Sequence, residues 1–204
     1  MAGVSSLLLL IDLQVSFCDE TGSMARQGRD ITALQTAARR CDALAVAARE
    51  ATIPVVWTRM VFRPDYSDGG WLTTDLRPNL VTVGALRAGS GDEELSSLVA
   101  PADTDIVIDK PRYSSLYGTP LEVILRSRGI DHVIVAGITT QMCVESTVRD
   151  ISQRDYKTTV VEDACAEFSR ERHDASIAAM EFGFARIVSS EDTRRLFAGG
   201  GSND

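Results

Sequence analysis

The chain has 204 residues, 44% hydrophobic and 25% charged, which suffices for an α/β domain with a sizeable core. Its 29 acidic against 21 basic residues give a formal net charge of -8, a balance that repels phosphate backbones and anionic lipid and so argues against nucleic acid or membrane partners. Cys18, Cys41, Cys143 and Cys165 show no CxxC spacing, so they are expected to be free thiols in a reducing, cytoplasmic setting.

The apolar run that ends before Asp12 has no positive region ahead of it and reads as a strand, about residues 7–11, not as a signal peptide or membrane span. Asp30 is the expected N-cap of a helix whose stripe of Ile31, Leu34, Ala38, Cys41, Ala45 and Ala48 places Cys41 in the core. A second strand follows at 54–58. Then comes an irregular stretch from Met60 to Gly91 with Pro64, Pro78 and five glycines, long enough to suggest a lid or a subunit contact. Its Phe62, Tyr66 and Trp71 read as exposed apolar surface and predict a homodimer or homotetramer.

A third strand is expected at 105–109, stopped by Lys110-Pro111. Thr119-Pro120-Leu121-Glu122 reads as a capping box with Pro at N1, and Gly129 ends that helix. Further strands are expected at 132–136, 158–161 and 185–188, with helices from near Gln141 and over 170–182. Alternation of this kind marks βαβ units and a parallel α/β sheet in one domain, 1–198, while the Gly-rich tail 199–204 has nothing to bury and is expected to be disordered.

In such sheets ligands bind outside the carboxyl ends of the strands. Three reactive residues stand there: Asp12, Lys110 and Cys143. Together they offer a proton acceptor, a cation and a thiol. Cys143 falls in the first turn of a helix, where free N–H groups, the helix dipole and a neighbouring Lys⁺ are expected to lower the thiol pKa. The same N–H groups can receive an oxyanion. Cys18 is the rival thiol, without a helix start around it. His132 and His173 are isolated and read as structural, and Asp163 reads as a cap.

The segment Gly137-Ile138-Thr139-Thr140-Gln141-Met142-Cys143-Val144-Glu145-Ser146-Thr147-Val148-Arg149-Asp150 resembles the signature of the isochorismatase-like cysteine hydrolases. Ile11-Asp12-Leu13-Gln14 with Phe17 is similar to that family's opening motif, and Asp109-Lys110-Pro111-Arg112-Tyr113-Ser114 to its lysine motif. Motif order and spacing match from about residue 5 to 197. The resemblance implies a three-layer αβα fold on a six-stranded, mostly parallel, Rossmann-like sheet. It also implies an Asp12–Lys110–Cys143 triad, a thioester intermediate, a cis peptide between Ile138 and Thr139, and an oxyanion hole from the Thr139 and Cys143 N–H groups.

Two departures narrow the expected chemistry. Nicotinamidases of that family carry a histidine-and-aspartate metal cluster after the second strand, whereas Trp57-Thr58-Arg59-Met60-Val61-Phe62 has no histidine, so neither metal nor cofactor is expected. Isochorismatases proper lack the cysteine, so Cys143 favours cleavage of a linear amide, carbamoyl or ureido C–N bond in a small molecule. A vinyl-ether hydrolase and a non-catalytic α/β binding module are the alternatives, the latter without a GxGxxG or P-loop signature. Phe17, Trp71, Tyr113 and Tyr117 are candidate pocket walls. Arg59, Arg63 and Arg112 are candidate carboxylate anchors, and the resemblance gives Gln14 a part in orienting the triad.

Overall fold

Strand β1 (Ser6–Ile11) is apolar from Leu7 onward because it lies mid-sheet, with strands on both edges and helices on both faces. A computed structural model describes residues 5–199. β1 is followed by short helices α1 (Val15–Cys18) and α2 (Ser23–Arg26), and by the long α3 (Thr32–Glu50). Then come β2 (Val55–Met60), a π turn at Leu72–Leu76, α4 (Asn79–Val83), β3 (Ile106–Lys110) and α5 (Leu121–Ser127). The second half comprises β4 (His132–Ile138), a π turn at Thr140–Val144, α6 (Glu145–Ser152), β5 (Lys157–Ala166), α7 (Arg170–Gly183), β6 (Arg186–Val188) and α8 (Ser190–Ala198).

The six strands run in the order β3-β2-β1-β4-β5-β6, and every pair is parallel. Leu8, Leu10, Trp57, Ile134 and Val161 point to one face and pack on α3 and on Phe197 of α8. Leu7, Leu9, Val56, Ile108, Val133 and Val160 point to the other, under Leu121 and Leu125 of α5, Val148 and Ile151 of α6, and Ile177 and Met180 of α7. The expected αβα layers are therefore present. The chain winds outward from β1 to β3 and then returns to lay β4 beside β1, which makes the β1–β4 boundary the switch point where a crevice opens. Among the described residues no helix is long and apolar enough to cross a membrane.

Several boundaries differ from the sequence expectation. α3 begins at Thr32 with Ile31 as N-cap; Asp30 bonds the Thr32 N–H at 2.9 Å from outside the helix. The expected capping box is only half made. Thr119 Oγ1 accepts the Leu121 N–H at 3.2 Å, but Pro120 holds the cap position and Glu122 turns to Arg126 and Arg154. β5 continues past Val161 to Ala166, because after a register shift Cys165 and Ala166 pair with Gly137 and Ile138; polar Glu162-Asp163 hides this in the sequence. α8 is an element the periodicity does not announce, since Thr193 and Phe197 are among its few buried side chains. Asp163 does cap it, accepting Ser190 N–H at 2.6 Å and Ser190 Oγ at 2.7 Å. Of the expected disordered tail, Gly199 is the C-cap of α8 and residues 200–204 lie outside the described residues.

The stretch after β2 is not the exposed apolar loop its composition suggests. Phe62 and Tyr66 are buried, with ring centroids 5.6 Å apart, and Tyr66 Oη donates to Ala85 O at 2.9 Å. Trp71, Leu76 and Val81 remain exposed.

Candidate active site

Three strand ends meet at the switch point. After Ile11 the chain turns at Asp12 with a left-handed φ of 56°, which aspartate tolerates better than most residues because its short polar arm bonds locally. The Asp12 N–H donates to Thr58 O at 3.1 Å, and the Thr58 hydroxyl donates to Asp12 Oδ1 at 2.8 Å. Asp12 Oδ2 lies 2.7 Å from Lys110 Nζ. Lys110 ends β3, two strands away, so the Lys110 and Asp12 side chains must together bridge two strand spacings, about 9.6 Å, and a shorter side chain at 110 would not reach. The ammonium donates to Arg112 O and Tyr113 O, each at 2.9 Å.

Cys143 arrives from β4. The Ile138–Thr139 peptide is cis, as the resemblance implies. Gly137 brings β4 so close to β1 that a Cβ there would stand 2.3 Å from Ile11 O, and its φ of 129° is one that side chains rarely adopt. The Thr139 carbonyl accepts the Met142 and Val144 N–H groups, each at 3.2 Å, on either side of Cys143. The turn that carries Cys143 is thus a π turn leading into α6, not the ordinary first helical turn expected from the sequence. Thr147 Oγ1 donates to Cys143 O at 2.6 Å and accepts the Ser115 N–H at 2.9 Å, tying this turn to the loop after Lys110.

Asp12, Lys110 and Cys143 are all buried, with 0%, 1% and 4% exposure. Asp12 and Lys110 both act electrostatically on the Cys143 thiol. Burial opposes the Lys110 charge, but Asp12 and then Cys143 outweigh it, so the ammonium is held above its ordinary value. For Cys143, burial pushes the thiol up, Lys110 pulls it back and Asp12 pushes it up again, with a net upward result. The sequence expectation of a lowered pKa is corrected here, because desolvation exceeds what one cation supplies. Burial thus favours the neutral thiol over the thiolate. Cys18 is pushed up to about 12, chiefly by burial, with no cation to offset it. All four cysteines are free.

The other candidates divide. Phe17 is partly buried against both apolar layers, and Tyr113 packs half-buried near Cys143, Lys110 and Arg77. Gln14 is a clamp: its amide bonds Met60 O and Met60 N, both at 2.9 Å, and Glu93 O at 2.7 Å, leaving it no hydrogen bond to the triad. Arg59 is not an open anchor. It shares the Trp57 side of β2, and Asp109 (2.7 and 3.1 Å) and Glu94 neutralise it. Arg112 Nη1 is bound to the carbonyls of Asp68 at 3.0 Å and Pro111 at 2.6 Å. Arg63 is exposed near Asp65. Trp71 is 68% exposed with its indole on Asp75, and Tyr117 is 63% exposed, so neither is a buried wall.

His132 bonds Ser6 and Thr159, and His173 bonds Thr140 Oγ1 at 2.9 Å, so both are structural. Among the described residues no group of three His, Cys, Asp or Glu side chains is placed to hold a metal ion. Sequence reading missed Thr58 and Arg77. Thr58 has a signal, since it ends the expected strand beside β1; Arg77 sits in a loop with none.

The isochorismatase domain family matches residues 6–192. The ureidoacrylate amidohydrolase RutB of Methylobacterium radiotolerans is 34% identical over 200 residues, 91% of this chain and 78% of that protein. The RutB of an Enterobacter species is 36% identical over 171 residues, 78% of this chain and 74% of that protein. A cysteine hydrolase from Pseudomonas syringae pv. phaseolicola superposes with a TM-score of 0.87 at 27% identity, over 97% of this chain and 94% of the other. N-carbamoylsarcosine amidase from Thermoplasma acidophilum, 24% identical with a TM-score of 0.71 over 92% of this chain and 98% of the other, shares the fold. On the strength of a family match across nearly all the described residues, this chain belongs to the isochorismatase family.

Proposed function

We propose that the chain hydrolyses a carbamoyl, ureido or other linear amide C–N bond of a small molecule through a thioester on Cys143. The observation that carries this reading is the buried Asp12–Lys110 pair at 2.7 Å, set against a buried thiol at the switch point. The names of the amidohydrolase relatives support the ureido choice.

In the reaction Asp12 takes the thiol proton as sulfur attacks the substrate carbonyl, and Lys110 balances the charge that develops. The oxyanion faces the Thr139 and Cys143 N–H groups. Collapse breaks the C–N bond while Asp12 returns the proton to the departing nitrogen, which leaves as ammonia or an amine. Water then attacks the thioester, Asp12 takes its proton, and the acid product and thiol are restored. No step calls for a metal or cofactor, so turnover should survive prolonged chelation and dialysis. Ammonia or amine release across a panel of amides, carbamoyl acids and ureas tests the reading, together with the mass of the acylated protein. Asp12→Asn should slow turnover about 10²–10⁴-fold, and Cys143→Ser should abolish the acylated species. Release of pyruvate from a vinyl ether, without ammonia from any amide, would overturn it.

The free thiols fit a cytoplasmic setting. The exposed Trp71, Leu76 and Val81 support a homodimer or homotetramer, and a monomer mass in light scattering at micromolar concentration would refute it.

A further inference from the structure

Of the arginines that the sequence offers as carboxylate anchors, Arg59 and Arg112 are engaged elsewhere and Arg63 is exposed near Asp65, whereas Arg77 lies against the residue that precedes Cys143. Its Nη2 lies 3.8 Å from Sδ of Met142, the residue before Cys143. Among the described residues no acidic side chain lies within 4.0 Å of its guanidinium. Its backbone is fixed, because Arg77 N–H donates to Leu72 O at 2.7 Å and Arg77 O accepts Leu80 N–H at 3.1 Å, and Leu72 and Leu80 are both buried. Tyr113 packs half-buried against the apolar layer that contains Cys143, and its hydroxyl feels the positive charges of both Arg77 and Lys110.

A planar cation with free donors, held on an ordered backbone beside a nucleophile, matches a carboxylate at the far end of a short substrate. Lys110 is fully buried, paired with Asp12 and bonded to Arg112 O and Tyr113 O, whereas Arg77 is exposed. We propose that Arg77 binds the carboxylate of the substrate, so that the site selects an N-carbamoyl or ureido acid over the corresponding neutral amide or ester. This inference rests on the amidohydrolase reading above and specifies its substrate class. Arg77 does not enter the bond-making steps: it sets affinity and position, and its removal should raise KM far more than it lowers kcat.

The test compares 3-ureidopropionate with its methyl ester on the wild-type protein, Arg77→Gln and Arg77→Lys. Arg77 is exposed, so neither substitution should disturb folding, and an unchanged melting temperature verifies this. For the acid, Arg77→Gln should raise KM roughly 10–100-fold, the range expected on losing hydrogen bonds to a charged group, and Arg77→Lys should recover part of it. For the ester, kcat/KM should change less than about twofold, since a neutral group forms no ion pair with the guanidinium. Equal losses on both, or none on the acid, would overturn the inference. Calorimetric binding of the acid to Cys143→Ser, with and without Arg77→Gln, separates the two readings. Binding that requires Arg77 without turnover by the wild-type protein breaks the amidohydrolase reading alone. Turnover with binding indifferent to Arg77 breaks this inference alone. No binding of the acid at any accessible concentration overturns the inference too.

Discussion

The carboxyl edge of the sheet and the segment 61–96 border the same site but are held by different forces. At the edge, Asp12, Lys110 and Cys143 are fixed by strand register: Ile11 pairs with Gly137 and Thr58, and Met60 pairs with Lys110. The excursion has little ladder of its own, with a single bridge between Phe62 and Arg87. Its later part is latched by buried polar side chains. Asp92 accepts Ser23 N–H at 2.7 Å, Ser23 Oγ at 2.8 Å and Leu86 N–H at 2.8 Å, while Gln14 clips Glu93 to Met60. A cleft of about 400 Å³ between α2 and this segment contains none of the triad, and its Arg26 and Asp92 face each other at 3.8 Å. The groups proposed to react therefore stand on the strand ladder, and Arg77, proposed to bind the carboxylate, stands on the excursion. Such a division lets substrate choice change without disturbing the chemistry.

The largest effect expected is that of Lys110→Met. It leaves the Asp12 carboxylate buried without its cation, a loss of about 3–5 kcal/mol in urea unfolding, with turnover gone. Adding Asp12→Asn should restore most of that stability but no activity, because the neutral amide needs no cation, suits the left-handed turn and still accepts from Thr58. If the single variant is as stable as the wild type, the edge is not organised around this pair. Asp92→Ala, which strands three donors on the excursion, should be milder at about 2–3 kcal/mol and should open 86–96 to limited proteolysis. A loss exceeding that of Lys110→Met would reverse the ranking of the two regions.

Arg59→Ala should change kcat/KM little and stability by at most about 1 kcal/mol, as suits a partly exposed pair on the other face; a large rise in KM would return Arg59 to the site. The smallest effect concerns acidity. Burial lowers the pKa of both His132 and His173 in the folded state. Below about pH 6.5 the unfolded chain binds more protons than the folded one, so stability falls as pH drops until the folded values are passed. His173→Gln should flatten part of that slope in melting temperatures measured from pH 5 to 7.5, and a slope unchanged by the substitution would exclude His173 as a contributor.

Much of this molecule follows from local pattern. Apolar runs mark all six strands, helical spacing puts Cys41 in the core, and the residues just beyond three of the runs are the proposed triad, because periodicity and turn chemistry act over a few neighbours. What needed the tertiary structure is non-local. The strand order decides that Lys110 must reach over β2 to Asp12, and the close approach of Gly137 to Ile11 decides where Cys143 sits. Burial, a property of the whole packed interior, pushes up the pKa of the thiol that the sequence leads one to expect lowered. Ion pairing does the same for the arginines. Arg59 and Arg77 look alike in sequence, but register places Asp109 and Glu94 against the first and the fold sets the second, unpaired, beside Met142. A charge's availability depends on what packs around it, and the linear chain does not specify that neighbour.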